Sequence, residues 1–323
     1  MIPKSIQRVG LIGFGEAGGI FGQDMTAAGL QVRTFDILFR ANQCRETMIE
    51  KARQLKVQPC DTPSDAIKGA DLVLSAVTAS SATDAAREAA DSLSREQIFM
   101  DINSVSPETK REIAELVGPS AGAFVESAVM APVPPQRLKV PMLLGGESAA
   151  EVAQLLQAIG MNATAISDRI GVASAIKMCR SIIIKGLESL AVESMFAARR
   201  HGAEEMVLAS LAATYPQMGW SNGLPDYLVG RVAEHGRRRA NEMREVAQTL
   251  TGVGLNPLMA LATADRQDWL VDEMASRNIV YRNDEAFSWR ALADQIAQAE
   301  AAQEASHNGT EPANKCEAAR RKS

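Results

Sequence analysis

The fold of this 323-residue chain is decided by the stretch Val9-Gly10-Leu11-Ile12-Gly13-Phe14-Gly15-Glu16-Ala17-Gly18. It predicts a short buried strand that turns through glycines into a helix. The glycines at positions 13, 15 and 18 fit the pattern G-x-G-x-x-G. In this pattern the first glycine permits a tight turn, the second lets a pyrophosphate approach the backbone, and the third lets the helix pack closely on its strand.

The residues that follow this turn favour a dinucleotide site. A second strand is predicted over residues 31–36, and it ends in Asp36 at the spacing at which an acid binds the adenosine ribose. The unpaired N–H groups at the helix start suit a phosphate. The carboxylate of Asp36 favours NAD over NADP because it repels a 2′-phosphate, whereas Arg33 and Arg40 nearby keep NADP as an alternative. The predicted cofactor-binding residues are Gly13, Phe14, Gly15, Glu16, Ala17, Gly18, Asp36, Val77, Thr78 and Asn103.

Composition excludes several other classes of protein. The net charge of −5 argues against a general nucleic-acid binder, which would carry a basic surplus. The four cysteines are scattered, without metal-ligand spacing, so we expect reduced thiols and no metal site. The N-terminal residues lack the apolar run of a signal peptide, and no stretch is apolar for long enough to span a bilayer. A cytoplasmic protein without membrane or nucleic-acid partners is therefore expected.

Strand and helix signals alternate through the first half of the chain. Further strands are predicted at residues 56–58, 71–77, 98–101, 123–130, 141–146 and 163–166, with helices between most of them. A stiff proline-rich loop is predicted at residues 131–135. This order predicts an α/β Rossmann domain over residues 1–168, with a doubly wound, mostly parallel sheet.

The strand signals stop at Gly171. A long helix is predicted at residues 172–198, and it would join the sheet domain to an all-α domain over residues 169–302. Residues 303–323 lack apolar periodicity, and a disordered tail is expected there. The helices predicted after the long one cover residues 204–213, 225–234, 237–250, 257–274 and 288–302.

Three more blocks accompany the glycine turn in a fixed order. Residues 101–109, Asp-Ile-Asn-Ser-Val-Ser-Pro-Glu-Thr, match a D-x-S/T-x-x-S-P loop. Residues 141–146 match an L-x-x-M-V-G-G strand, and residues 171–177 match a G-x-G-x-x-x-K helix start. Together the blocks resemble the β-hydroxyacid dehydrogenase and 6-phosphogluconate dehydrogenase superfamily over about residues 7–265. The helices after residue 193 resemble a C-terminal domain of phosphogluconate-dehydrogenase-like proteins.

The resemblance implies a Rossmann domain, a helical domain that forms a homodimer, and a small-molecule substrate in a cleft between the two. It also implies a catalytic lysine, which falls on Lys177. Chemistry supports this role, because hydride transfer from an alcohol leaves a proton that needs an acceptor, and a lysine beside an apolar cofactor can have its pKa lowered into that role. The predicted catalytic residues are Lys177, Ser104 and Ser181.

The chain departs from the family pattern around the reacting carbon. The family's D-A-P-V-S-G-G segment, whose Ser-Gly-Gly holds the substrate carboxylate, aligns with residues 126–132. The Met130 side chain has no donor for an anion, and Pro132 lacks an N–H group. Ser181 replaces the family's asparagine, and Asn241 stands where a second lysine is usual. We therefore expect a substrate that is larger or less acidic than a small 3-hydroxyacid, such as an aromatic compound.

Aromatic residues are rare in the chain, yet Tyr215, Trp220 and Tyr227 lie close together in the sequence. They form either a packed core or an apolar wall for a ring-bearing substrate. The predicted substrate-binding residues are Ser104, Met130, Ala131, Pro132, Lys177, Ser181 and Trp220.

Three functions are compatible with these observations. The first is an NAD(P)-dependent dehydrogenase or reductase that acts on a hydroxyl/carbonyl pair. The second is a dehydrogenase whose oxidation triggers decarboxylation, isomerisation or carbon–carbon cleavage, with Glu188 or His235 supplying a proton; Glu188 would otherwise form a salt bridge on a helix surface. The third is a non-catalytic NAD-binding sensor or scaffold. The run Arg237-Arg238-Arg239 is either a solvated face or an anion-binding group.

Overall fold

A computed structural model describes residues 2–41, 43–282 and 286–308 of the chain. The chain divides into two compact units. The first unit comprises the residues up to Ile183 together with Asn241–Leu261, and the second comprises Ile184–Ala240 and the described residues from Ala262 onward. The predicted boundary at residue 168 marks where the strand signals end, and as a domain boundary it stays a prediction.

Eight strands of the first unit form one sheet, in the order β3-β2-β1-β4-β5-β6-β7-β8. Neighbouring strands are parallel except for β6 and β7, which are antiparallel. The doubly wound, mostly parallel sheet expected from the sequence is thus confirmed. The strands are β1 (Arg8–Ile12), β2 (Gln31–Phe35), β3 (Gln58–Pro59), β4 (Leu72–Ser75), β5 (Ile98–Asp101), β6 (Ala123–Val129), β7 (Met142–Gly145) and β8 (Ala163–Ser167).

Twelve α-helices are present in the described residues. Those from α8 onward make up the predicted helical part of the chain, and no strand follows β8 within the described ranges. The helices are α1 (Glu16–Ala27), α2 (Arg45–Gln54), α3 (Pro63–Ile67), α4 (Ala82–Ala90), α5 (Pro107–Val117), α6 (Val133–Gln136), α7 (Ala149–Ala158), α8 (Val172–Arg200), α9 (Glu204–Thr214), α10 (Leu224–Thr251), α11 (Leu258–Ser276) and α12 (Trp289–Asn308).

The carboxyl ends of the central strands lie in register. Ile12 of β1 pairs with Ser75 of β4, Ser75 pairs with Asp101 of β5, and Asp101 pairs with Glu126 of β6. The central strands β4 and β5 are buried on both faces, which explains their continuous apolar sequence. The strand order reverses between β1 and β4, because β2 and β3 lie on one side of β1 while β4 and the later strands lie on the other. Sheets of this type bind ligands at the carboxyl ends of the two strands where the order reverses.

The structure corrects three predictions about the helices. The two helices predicted at residues 225–234 and 237–250 are one, because α10 runs through Gly236 without a break. A Cβ at this position would stand 2.7 Å from Val271 Cγ2 and 3.0 Å from the Gln267 carbonyl oxygen, so the glycine allows close packing against α11. The predicted stiff loop at residues 131–135 contains the short helix α6, because proline is tolerated in the first turn of a helix.

The third correction concerns the predicted disordered tail. The helix α12 extends to Asn308, past the predicted helix end at residue 302, because residues 300–306 are dominated by alanine, glutamate and glutamine, which favour helix. Residues 309–323 of the predicted tail lie outside the described residues. Across the described part of the chain, no helix combines the length and apolar character that a membrane span needs.

Candidate active site

The glycine turn after β1 has the backbone geometry that its sequence predicts. Gly13 has φ of +95°, a conformation that residues with a side chain rarely adopt, and its N–H group donates to the Phe35 carbonyl oxygen at 2.8 Å. A Cβ at position 13 would stand 2.3 Å from the Ala76 carbonyl oxygen. A Cβ at Gly18 would stand 2.2 Å from the Gly13 carbonyl oxygen. Both positions therefore require glycine, the first for the turn and the second for the close approach of α1.

Gly15 is the glycine of this turn that faces open space. It is exposed, and a Cβ built on it would meet no atom within 4 Å. The helix α1 begins at Glu16, so the N–H groups of its first turn have no acceptor within the helix. An anion can reach these N–H groups through the space that a side chain at position 15 would fill. The turn thus fits the pyrophosphate of a dinucleotide.

Asp36 ties the end of β2 to the glycine turn. Its Oδ2 atom accepts a hydrogen bond from the Phe14 N–H group at 2.6 Å, and its Oδ1 atom accepts one from the Leu38 N–H group at 2.9 Å. The Phe14 ring is fully buried and packs near Phe39, so its side chain is part of the core. Its predicted contact with a cofactor stays a prediction. The half-buried carboxylate lies where dinucleotide-binding sheets place their acid, and its contact with a ribose stays a prediction.

A lysine that the sequence did not single out lies against the same turn. Lys51 Nζ on α2 donates to the Phe14 carbonyl oxygen at 2.9 Å and to the Gly15 carbonyl oxygen at 3.0 Å. The ammonium group also stands 5.1 Å from the centroid of the Phe14 ring. Five of the ten residues of α2 are charged, so its sequence does not show which of them faces the sheet.

The loops after β4 and β5 are joined by Asn103. Its Oδ1 atom accepts from the Val77 N–H group at 2.7 Å, and its Nδ2 group donates to Ser75 Oγ at 3.0 Å. The side chain is buried, and both of its polar atoms bind protein groups. Thr78 is exposed beside them, and its hydroxyl bonds with that of Ser81 at 3.0 Å. Asn103 therefore holds the two loops together, and its predicted cofactor contact, like those of Val77 and Thr78, stays a prediction.

The structure brings two of the three predicted catalytic residues into contact. Lys177 Nζ, on the second turn of α8, donates a hydrogen bond to Ser104 Oγ at 2.6 Å. Ser104 belongs to the loop after β5, and both side chains are half-buried. Ser181 lies one helical turn beyond Lys177 on the same face of α8 and is buried. The three residues thus lie along one helix face and the loop beside it.

A buried carboxylate fixes the start of α8. Glu126, in the middle of β6, is fully buried, and its Oε1 atom accepts from the N–H groups of Gly171 at 2.6 Å and Ala173 at 3.0 Å. Its Oε2 atom accepts from the Ser174 N–H group at 3.3 Å and from Ser174 Oγ at 2.8 Å. A Cβ at Gly145 would stand 2.6 Å from Glu126 Oε1, so glycine is needed there as well. The acid compensates the free N–H groups and the partial positive charge of the helix end.

A second buried acid shapes the loop that carries Ser104. Asp101 Oδ1 lies 3.2 Å from Lys110 Nζ and accepts from the Asn103 N–H group at 2.8 Å. Lys110 Nζ also donates to the Asp101 carbonyl oxygen at 2.8 Å. Burial raises the pKa of the Asp101 carboxyl group, and the ammonium of Lys110 opposes that rise. These bonds fix both ends of the segment that presents the Ser104 hydroxyl.

A third acid, Glu245 of α10, forms a hydrogen bond at the start of α5. Its Oε2 atom accepts from the Ser106 N–H group at 2.9 Å, while Ser106 Oγ caps the helix by accepting from the Thr109 N–H group at 3.1 Å. Burial raises the pKa of the Glu245 carboxyl group, although the Ser106 N–H and Thr109 bonds lower it. Sequence analysis missed the roles of Glu126 and Glu245 because the N–H groups that they bind lie 45 and 139 positions away along the chain.

The segment predicted to contact the substrate carboxylate lacks the expected donors. The Met130 N–H group donates to the Pro141 carbonyl oxygen at 2.9 Å and extends the pairing of β6 with β7. Ala131 is half-buried, and Pro132 is exposed and has no N–H group. Contacts of these three residues with a substrate stay predictions.

In the second unit, Trp220 lies in the apolar core, where its side chain is 6% exposed. Its predicted contact with a substrate stays a prediction. The expectation of a surface salt bridge at Glu188 is wrong, because this residue is 1% exposed and pairs through both carboxylate oxygens with the buried Arg239. Burial raises the pKa of Glu188, and the guanidinium group opposes the rise. Arg239 is therefore not part of a solvated face, whereas the half-exposed Arg237 pairs with Asp268 and Asp272.

Candidate metal sites are absent from the part of the chain that the structure describes. No group of three or more histidine, cysteine, aspartate or glutamate side chains there could hold a metal ion.

Comparisons with known proteins agree with this geometry. Residues 8–167 match the NAD binding domain of 6-phosphogluconate dehydrogenase, and residues 198–270 match a domain of unknown function (DUF1932). A conserved hypothetical protein from Sinorhizobium meliloti is 35% identical, with 91% of this chain and 97% of that chain covered and a TM-score of 0.69. A conserved protein of unknown function, described as structurally similar to 3-hydroxyacid dehydrogenases, is 32% identical, with coverage of 82% and 97% and a TM-score of 0.65.

A more distant likeness supports the fold alone. The 3-hydroxyisobutyrate dehydrogenase of Mycobacterium tuberculosis, solved with L-serine, is 13% identical, with 90% of this chain and 99% of that chain covered and a TM-score of 0.66. The sequence blocks, the sheet order and the two similar proteins above 30% identity agree. The chain therefore belongs to the β-hydroxyacid dehydrogenase and 6-phosphogluconate dehydrogenase superfamily, and its first unit carries that superfamily's NAD-binding domain.

Proposed function

We propose that the protein is an NAD(P)-dependent dehydrogenase or reductase that transfers a hydride between the nicotinamide and a hydroxyl/carbonyl substrate. The observation that carries the proposal is the 2.6 Å hydrogen bond from Lys177 Nζ to Ser104 Oγ. Ser104 follows Asn103, which bonds the loop after β4, so the pair belongs to the same edge of the sheet as the glycine turn. A proton-transfer group at this edge is what hydride chemistry at a nicotinamide requires.

The residues of the pair have complementary roles in this chemistry. The bound nicotinamide supplies the hydride acceptor or donor. In oxidation the Lys177 amine accepts the proton of the substrate hydroxyl, and in reduction its ammonium form returns that proton to the carbonyl oxygen. The Ser104 hydroxyl accepts a bond from Lys177 and is free to donate its own proton to the substrate oxygen. Ser181, one turn further along α8, is proposed as a second donor to the same oxygen.

We infer that the substrate is not a small 3-hydroxyacid. The support is the segment Met130-Ala131-Pro132, in which one N–H group is used within the sheet and another is missing. A carboxylate held there would therefore lose two donors that the family pattern supplies. A larger or aromatic alcohol or carbonyl compound suits this segment better. The favoured cofactor is NAD, because Asp36 opposes a 2′-phosphate.

The proposal is tested with a panel of alcohols and carbonyl compounds, assayed by NADH absorbance. The panel pairs small 3-hydroxyacids with their aryl-substituted counterparts. The wild-type protein should turn over at least one larger member, and Lys177→Ala should lower kcat by about 10²–10⁴-fold. The exposed Lys68→Ala serves as the matched control and should keep wild-type turnover.

Two results would overturn the proposal. Near-normal turnover by Lys177→Ala would remove the proton-transfer role. Binding of NADH without turnover of any panel member would favour a sensor or scaffold instead.

We also propose that two copies associate through the helical C-terminal part of the chain. The support is a set of mostly exposed apolar side chains in the second unit, namely Leu190, Met206 and Tyr227. A partner that covers such side chains removes apolar surface from water, which stabilises the dimer. Light scattering on the purified chain should give twice the 34.6 kDa monomer mass, and a monomer at micromolar concentration would contradict the proposal.

A further inference from the structure

We propose that Lys51 is a cofactor-affinity residue, whose ammonium group beneath the glycine turn draws the pyrophosphate of NAD(P) to the start of α1. The inference rests on the cofactor-binding half of the proposed function and not on the hydride chemistry. It assigns to α2 a role that the G-x-G-x-x-G pattern does not contain.

The position of the ammonium group is fixed by three neighbours. Lys51 Nζ donates to the carbonyl oxygens of Phe14 and Gly15, the two residues that follow Gly13 in the turn. A Cβ at Gly19 would stand 3.4 Å from both Nζ and Cε of Lys51, so the side chain runs along the first turn of α1. The positive charge is therefore held at the helix end whose N–H groups suit a phosphate.

Two effects disfavour the positive charge of Lys51 at this place. The N-terminus of α1 carries a partial positive charge, which disfavours a second positive charge beside it. Burial lowers the pKa of Lys51, whereas the carboxylates of Asp36 and Glu16 raise it. An incoming pyrophosphate carries two negative charges, so it adds a favourable interaction with the ammonium group that the Phe14 and Gly15 carbonyl oxygens hold in place.

The alternative is a purely structural role, in which Lys51 only holds the turn in shape. The two roles need different properties of the side chain. Holding the turn needs a hydrogen-bond donor to the Phe14 and Gly15 carbonyls, whereas attracting the pyrophosphate needs a charge. A charge effect also weakens as salt is added, and it acts on ligands that contain the pyrophosphate but not on adenosine.

The experiment measures ligand affinity by calorimetry on the full-length chain. The variants are Lys51→Met, Lys51→Gln and Lys51→Arg, with the exposed Lys68→Met as control, and the probes are NADH, ADP-ribose and adenosine. Lys51→Gln keeps a hydrogen-bond donor without the charge, so it tests the effect of the charge even if Lys51→Met does not fold. We expect the affinity of the uncharged variants for NADH and for ADP-ribose to be about tenfold lower than that of wild type at low salt, and about twofold lower at 1 M salt. Adenosine affinity should be unchanged, and Lys51→Arg should stay within about threefold of wild type.

Other outcomes overturn the inference. NADH affinity of Lys51→Gln within about twofold of wild type at low salt would show that the charge contributes nothing. An equal loss for adenosine and ADP-ribose, or a loss that salt does not change, would show a distorted turn instead. If the wild-type chain binds neither NADH nor NADPH, this inference and the proposed cofactor both fail. If NADH binds but Lys177→Ala keeps full turnover, only the proposed chemistry fails.

Discussion

The Glu126→Ala substitution removes the carboxylate that caps α8, the helix that carries Lys177. The variant removes the acceptor of four hydrogen bonds, three from the N–H groups of Gly171, Ala173 and Ser174 and one from the Ser174 hydroxyl. Only the hydroxyl keeps another acceptor, the Gly171 carbonyl oxygen at 3.2 Å. All of these donors belong to residues that are buried or half-buried, so water replaces the lost acceptor only in part. We therefore expect a large loss of stability in the first unit and a displaced Lys177.

The size of the loss follows from the individual bonds. A hydrogen bond to a charged group contributes about 1.5–3 kcal/mol, and a buried donor left unsatisfied costs about 1–3 kcal/mol. Three of the four bonds are 3.0 Å or shorter, while the bond from the Ser174 N–H group is 3.3 Å. Contributions within one cluster are not additive, and the native carboxylate itself loses hydration on burial. We expect a net destabilisation of about 3–5 kcal/mol.

Urea unfolding followed by circular dichroism measures this change. Glu112→Ala, at an exposed position of α5, is the control and should stay within about 0.5 kcal/mol of wild type. Glu126→Gln keeps one acceptor oxygen, so its free energy of unfolding should lie between those of wild type and Glu126→Ala. NADH affinity of the folded variant should be retained, because the glycine turn does not depend on α8. A Glu126→Ala variant within about 1 kcal/mol of wild type would refute the assigned capping role.

The remaining predictions concern the cofactor turn and pH. Gly15→Val should lower the NADH affinity measured by calorimetry by at least about thirtyfold, because the valine side chain enters open space that the pyrophosphate needs. Its melting temperature should stay within about 2 °C of wild type, and an unchanged affinity would contradict the assigned site. Gly18→Ala should lower the melting temperature by about 5 °C or more, since its Cβ would stand 2.2 Å from the Gly13 carbonyl oxygen; an unchanged melting temperature would contradict that contact. Burial raises the pKa of Glu245, so the folded chain keeps a proton that the unfolded chain loses near 4.5, and stability should fall as pH rises from there to the raised value. Glu245→Gln should flatten this part of the urea-derived stability profile, and an unaltered slope would exclude Glu245 as its source.

Much of the fold, and the contact between Lys177 and Ser104, could be predicted because single residues carry their own signal. The glycines of the turn are required by backbone geometry, and that requirement is visible in the sequence itself. Lys177 and Ser104 lie in motif positions whose chemistry is known, and the structure places their polar atoms 2.6 Å apart. Local sequence was thus sufficient wherever the physical reason for a residue is local or belongs to a family pattern.

The missed residues have partners far along the chain. Glu126 bonds a residue 45 positions away, and Lys51 bonds one 37 positions away, so neither role has a local signature. The break predicted between residues 234 and 237 is wrong for the same reason, since the side chain that the missing Cβ of Gly236 accommodates belongs to Val271 of another helix. The partner of Glu188, the buried Arg239, likewise lies 51 positions away. Tertiary packing, which periodicity does not encode, determines each of these residues.

The most direct measurement is a crystal structure of the full-length chain with NAD bound, in which the distance from nicotinamide C4 to Lys177 Nζ is determined. Hydride transfer places the substrate carbon about 3–3.5 Å from C4, and the proton acceptor within hydrogen-bond reach of the substrate oxygen. We therefore predict a distance of about 5–6 Å, with Ser104 Oγ on the same side of the ring. A distance beyond about 10 Å, or a lysine ammonium directed into bulk water, would contradict the assignment of Lys177 as the proton-transfer group.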